Sequence, residues 1–436
     1  MSKEKKSWSY YEDEFCCKYY IEKFIIEQSN MGLASFVKML SLEIKRSSNS
    51  IKMKVQNIKQ IVIEKNISDS LITSPLKNYS KQNWRIFEKL IKENPNLQQA
   101  PDLNTHIDMD FKIENGRLLK YMGNNEQVII PDEVYSIGGS AFSHWKDMKK
   151  LKISDSVTRI GLHAFYGAPN LSSVIIGKGV TFINLNAFGN CRNLTSITVD
   201  KDNSVYVSID GSLYKKEEFS LIQYATGKSE SAFTVPNGVI SIDSFAFADC
   251  DGLKYIVLPD SITIVEFGAF FGCRNLEEIQ IGKNTNHISY GAFDRCHNLK
   301  SIVVDVDNAI YESINGNLYT KQDITLVQYA IGKTEHFFSA PDNMLSIGPS
   351  AFASCDKLHK IELSNNLISI GFFAFADCKS LMNIIIPNNI NHIGKEAFRG
   401  CDNITIYCEA NSKPNGWHDD WNPDNRPVVW GYKQEK

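Results

Sequence analysis

The residues of this chain best suited to chemistry are its ten cysteines, seven of which obey one rule of spacing. Cys191, Cys250, Cys273, Cys296, Cys355, Cys378 and Cys401 each stand three residues after a phenylalanine, and Ala-Phe-Ala-Asp-Cys occurs intact at 246–250 and 374–378. A thiolate can ligate zinc or carry redox chemistry, but either task needs a few ligands held close, typically as C-x2-C pairs. The sequence has no C-x2-C, no H-E-x-x-H and no cysteine–histidine set recurring at ligand spacing. The first two occurrences of the pattern place Trp145 and Ala168 where the cysteine should stand. A position that accepts Trp and Ala asks for apolar bulk, which a buried thiol supplies. Stacking could still bring neighbouring sulfurs to disulfide distance, so oxidation of the row stays open at this point.

Three further groups suggest chemistry. Gly227-Lys228-Ser229 and Gly332-Lys333-Thr334 look like the end of a phosphate-binding loop. That loop needs a further glycine five residues before its second one, where Ile222 and Val327 stand. Asp419, Asp420 and Asp424 are candidate calcium ligands, but their spacing does not fit an EF-hand and a solvated cap is expected. The nine histidines fall at unrelated phases. No catalytic, cofactor-binding or metal-ligating residue is assigned, and the expectation is that the protein is not an enzyme and carries no cofactor.

What positions these residues is a repeat. Ala-Phe recurs with Phe at 142, 165, 188, 247, 270, 293, 352, 375 and 398, at spacings of 23 within triplets and 59 between them. The higher period is 105 residues. An aliphatic residue precedes each Phe by five, as at Ile137 and Ile242, and Leu usually follows by six. Aliphatic pairs such as Ile197/Val199, Ile279/Ile281 and Ile384/Ile386 follow at nine and eleven. L-x-x-I-x-I is a leucine-rich-repeat strand signature, and 23 lies within that period range. Alternation puts both aliphatics on one face of a short strand. One 23-residue turn cannot enclose its apolar face, but stacked turns bury it against each other. About a dozen rungs at roughly 4.8 Å give a rod on the order of 55 Å.

The consensus I-G-x-x-A-F-x-x-C-x-x-L-x-x-I-x-I resembles the BspA-like, or Treponema pallidum-type, leucine-rich repeats over residues 112–410. The resemblance implies a curved solenoid used for protein recognition, often on bacterial cell surfaces. It also implies hairpins that decorate the solenoid. Two 36-residue insertions carry such signals at Asp210-Gly211 and Asn315-Gly316, and the lead-in FKIENGRLLKY carries Asn115-Gly116.

The expected architecture is an α/β-type repeat solenoid over 111–410 with β-hairpin insertions, preceded by a small all-α domain (1–94) and a linker (95–110). Residues 411–436 would form an aromatic cap around Trp417, Trp421 and Trp430. In the helical segment, Ser9-x-x-Glu12 is a capping box. Ile51, Val55, Ile58 and Val62 mark an apolar helix face. WSYYEDE vaguely resembles the start of a Myb/SANT-type module, whose third helix would correspond to SIKMKVQNIKQ. That resemblance implies phosphate contacts by Lys52, Lys54 and Lys59.

The formal net charge of −3 gives no global reason to expect nucleic acid or an anionic membrane. No stretch approaches the apolar length of a spanning helix. MSKEKKSWSYYEDEF lacks the apolar run of a signal peptide, so a cytoplasmic location is expected. The leading functional expectation is a scaffold whose solenoid binds a protein partner. Outward strand positions include Ile175, Val257, Val303 and Ile385, with Tyr255, Glu278, Gln280, Lys360 and Glu362 on the same face. They are a recognition stripe, or simply residues of high β-propensity. The alternatives are a DNA-associated adaptor using the helical segment, and an adhesin exported by an unrecognised route.

Overall fold

The computed structural model describes residues 110–433. Residues 1–94, for which an all-α domain is expected, nearly all of the expected linker, and Lys52, Lys54 and Lys59 lie outside the described residues. Among the described residues no helix is long and apolar enough to cross a membrane.

Residues 111–430 wind into a leucine-rich-repeat β-solenoid of about 14 turns. Within each triplet a turn contributes a long strand and a two-residue short strand. In the second triplet the long strands are Tyr255–Leu258, Glu278–Ile281 and Ser301–Val304. Their short partners are Ser241–Ile242, Ile264–Val265 and His287–Ile288. Both kinds pair in parallel at a register equal to the sequence period: Ile256 opposes Ile279 and then Ile302, while Ile242 opposes Val265 and then Ile288. The alternation read from the sequence does its expected work. Ile256 and Leu258 point inward, and the residues between them point out.

The α/β label needs correcting: the described residues contain no α-helix, and the Ala-Phe segment is a run of tight turns. The reason lies in the backbone. In all nine repeats the residues two before and two after the Phe have positive φ, for example Phe245 (64°) with Asp249 (56°) and Phe373 (53°) with Asp377 (59°). Left-handed residues four apart break any α-helix. The amides freed from helical bonding turn sideways to the next rung. Phe247 N–H donates to Ala269 O at 2.8 Å, and Phe270 N–H to Ala292 O at 2.8 Å. The phenylalanine rings stack behind this seam, with centroids 5.1 Å apart for Phe247–Phe270 and 5.4 Å for Phe270–Phe293.

The insertions are more than decoration. Tyr206–Ile209 and Ser212–Lys215 form a hairpin around Asp210-Gly211, whose φ values of 49° and 72° are those of a type I′ turn. A third strand, Ser220–Gln223, pairs antiparallel with the second and then heads the parallel short-strand ladder through Ser241. Tyr311–Ile314, Asn317–Thr320 and Thr325–Gln328 repeat the arrangement. Each insertion also supplies a hidden rung. Tyr224 stacks on Phe247 at 5.1 Å and its N–H donates to Ala246 O at 2.8 Å, the lateral bond the phenylalanines make. Tyr329 does the same against Phe352 and Ala351. At the carboxyl end Trp421 meets the last ring, Phe398, edge-on at 5.7 Å. Trp417 and Trp421 are buried in the terminal core, and Val428–Trp430 adds one more strand to the long-strand sheet.

Candidate functional site

All eight cysteines in the described region are free and buried. The Cys273 thiol donates to Phe247 O at 3.0 Å, 26 residues back and one rung away. Cys191, Cys296, Cys378 and Cys401 make the same bond to Phe165, Phe270, Phe352 and Phe375. Burial pushes the Cys191 and Cys408 thiols up to about 12 and those of Cys250, Cys273 and Cys378 well above the ordinary value. A thiol held protonated is a weak donor and an inert nucleophile. The cysteine is therefore a small apolar filler whose thiol adds a second, inter-rung bond to a carbonyl that already accepts a backbone N–H within its own turn, as Phe247 O does from Cys250 N–H at 3.1 Å.

The glycine–lysine loops pack against the solenoid. A Cβ at Gly332 would sit 2.1 Å from the Asn298 carbonyl carbon, and Gly332 N–H donates to Leu299 O at 2.8 Å. Close approach of two backbones is what requires glycine there. Lys228 pairs with Asp210, and its ammonium lies 5.3 Å from the Tyr224 ring centroid. Of the cap aspartates, Asp419 pairs with Lys413 at 2.6 Å. Asp424 accepts from Gly400 N–H at 2.6 Å and pairs with Arg426 at 3.2 Å.

The outward strand residues make the largest ordered surface. Tyr255 (47% exposed), Glu278 and Ser301 stand opposite one another, as do Val257, Gln280 and Val303 (40% exposed). Gln280 donates to Glu278 at 3.0 Å. Lys360, Glu362 and Ile385 occupy equivalent positions on Lys360–Glu362 and Asn383–Ile386. Lys360 pairs with Glu362 at 2.6 Å and lies 5.5 Å from the Phe337 ring centroid. The expected stripe is thus three patches, because the long strands form three separate sheets, with Ile175 exposed on the first of them. The second hairpin ends one of them by bonding its edge strand: Ile302 N–H donates to Gly316 O at 2.9 Å and Val304 N–H to Ser313 Oγ at 2.9 Å.

Sequence reasoning missed a second row on the turn side. Leu162, Leu185, Phe267 and Tyr290 are exposed two residues beyond the short-strand aliphatic. Phe245 and Phe267 lie 5.5 Å apart, Phe267 and Tyr290 5.2 Å, and Tyr290 and Phe372 4.9 Å. The available signal was an apolar residue three before the buried Phe, next to the first left-handed position.

The family model for the BspA-type leucine-rich repeat region matches residues 115–225, 220–336 and 329–412. No curated protein matches the chain. Among solved structures it is similar to a leucine-rich cell surface protein from Faecalibacterium prausnitzii (26% identity, 74% of this chain and 93% of that one, TM-score 0.46). It is also similar to a leucine-rich repeat protein from Eubacterium ventriosum (23% identity, 69% and 90%, TM-score 0.44). A third similar structure is the leucine-rich repeat protein of T. pallidum (17% identity, 63% and 89%, TM-score 0.23).

Proposed function

The chain belongs to the BspA-type leucine-rich repeat family, and on that premise we propose that it is a non-enzymatic interaction protein whose outward long-strand residues contact a protein partner. The observation that carries this reading is the patch of Tyr255, Val257, Glu278, Gln280 and Val303. It presents exposed apolar and polar side chains in fixed register on a rigid ladder. Mixed apolar and polar character is the composition of protein interfaces, and preorganised backbone lowers the entropy cost of binding. Lys360, Glu362 and Ile385 extend the reading to the third long-strand sheet. Eight free buried thiols support a reducing, cytoplasmic setting. A DNA-associated role for Lys52, Lys54 and Lys59 concerns residues outside those described. A gel-shift titration over a range of salt tests it separately.

The test is quantitative cross-linking and co-purification from the native cell, comparing the natural chain with a Glu278→Lys, Val303→Asp, Glu362→Lys variant of unchanged melting temperature. The expected result is at least a tenfold loss of the specific partner. Equal recovery by the folded variant sinks the proposal.

A further inference from the structure

A cleft of about 720 Å3 opens where the second insertion separates the second long-strand sheet from the third. Lys300 lines one side, Asn315 sits at the hairpin tip, and Lys333, Thr334, Glu335 and Phe337 complete the walls. The 105-residue duplication supplies an internal control, because the first insertion builds the same loop from related residues. There Lys228 forms an ion pair with Asp210 and is covered by the rings of Tyr224 and Phe233.

The second copy differs at the positions that matter for charge. Asp210 is replaced by Asn315, Thr195 by Lys300 and Ala232 by Phe337. One lysine facing an aspartate and a glutamate becomes two lysines facing one glutamate. Lys300 is already held by Glu277 at 2.8 Å. Lys333 Nζ donates to the Asn315 carbonyl oxygen, and among the described residues no carboxylate lies within ion-pair distance of it. Its pKa is lowered, first by burial, with Glu335 acting weakly the other way. A partly desolvated ammonium without a counter-ion is the electrostatic state that an incoming anion relieves. Phe337 stands exposed beside it at the start of the next long-strand sheet.

We propose that this cleft takes a carboxylate side chain of an acidic peptide segment, with Lys333 as its counter-ion, the Asn315 amide and Thr334 hydroxyl as donors, and Phe337 as the wall for a neighbouring apolar side chain. The cleft is lined by Ser301, from the sheet that carries Val303, and by Phe337, from the sheet that carries Lys360, so the proposal rests on protein recognition by the strand face and names the chemistry of its partner. A carboxylate and a phosphate share the recognition chemistry, and the probes below separate them.

The experiment is calorimetric titration of the full chain at low ionic strength with the acetylated, amidated pentapeptide Glu-Phe-Glu-Phe-Glu. Its Gln counterpart and inorganic phosphate are titrated in parallel. The acidic peptide is expected to bind one per chain, with the Gln peptide at least tenfold weaker. Asn315→Asp, which recreates the ion pair of the first copy, and Lys333→Gln should each weaken binding at least tenfold with the melting temperature kept. Undiminished binding by either variant, absence of peptide binding, or phosphate binding without peptide binding overturns the proposal. Failure of the strand-face variants to lose their partner, with peptide binding intact, would sink the proposed function and leave this site standing.

Discussion

Within the Ala-Phe-Ala-Asp-Cys of residues 374–378, four of the five residues have an identifiable structural duty. The Ala374 carbonyl accepts the lateral bond, Phe375 fills the stack, Asp377 occupies the second left-handed turn position, and the Cys378 thiol adds a bond to the Phe352 carbonyl of the preceding rung. The sequence disclosed the spacing and the tolerance for Trp and Ala. It could not disclose the thiol's acceptor, because Phe352 and Cys378 meet only when adjacent rungs stack. The same burial acts on Asp294, whose carboxyl is pushed up to about 6 mainly by desolvation and whose Oδ1 is buried without a hydrogen-bond partner. A carboxyl with a raised folded pKa binds more protons folded than unfolded. Stability therefore falls as pH rises from about 4 to about 6. Asp294→Asn is expected to stabilise the protein by about 2 kcal/mol at pH 7 and by nothing near pH 3.5. Denaturant melts at the two pH values check this, and an equal effect at both would refute it.

The insertion is the element that sequence reading understood least. Its hairpins were legible, since Asp-Gly and Asn-Gly adopt the two positive φ values a type I′ turn demands. The tyrosine rung was not, although Tyr224 and Tyr329 each lie 23 residues before a repeat phenylalanine. A ring that carries a hydroxyl and follows 36 residues of different pattern does not announce itself as part of the stack. The insertion is locked by one buried side chain. Asn308 Nδ2 donates to Gly282 O and Thr285 O at 3.0 and 2.9 Å, and its Oδ1 accepts from Ile310 and Tyr311 N–H at 2.9 and 2.8 Å. Asn203 makes the same four bonds in the first copy. Removing the amide leaves buried donors and acceptors unpaired on both sides, at roughly 1–3 kcal/mol for each group. Asn308→Ala should lower unfolding stability by about 3 kcal/mol, read as a shifted denaturant midpoint. A loss under about 1 kcal/mol would show that water takes over these bonds.

Across the whole solenoid, each rung contacts its neighbours, so stability is close to a sum of local interfaces. Trp421 closes the stack against Phe398. Trp421→Ala should cost about 3–5 kcal/mol and express it locally. Hydrogen exchange should quicken in Thr405–Cys408 and leave Tyr255–Leu258 unchanged. Uniform loss of protection along the chain would mean that the array unfolds as one unit. By itself the sequence determined the repeat, its register and the inward and outward faces, because a fixed period is a correlation along the chain and survives without coordinates. Only the tertiary structure decided that the back of each turn is bent rather than helical. It also decided that the two hairpins divide the row of outward strand residues and that Lys333 faces an open cleft where Lys228 faces an aspartate. Those features depend on hydrogen bonds and charges brought together from rungs and insertions far apart in sequence, and no local pattern encodes them.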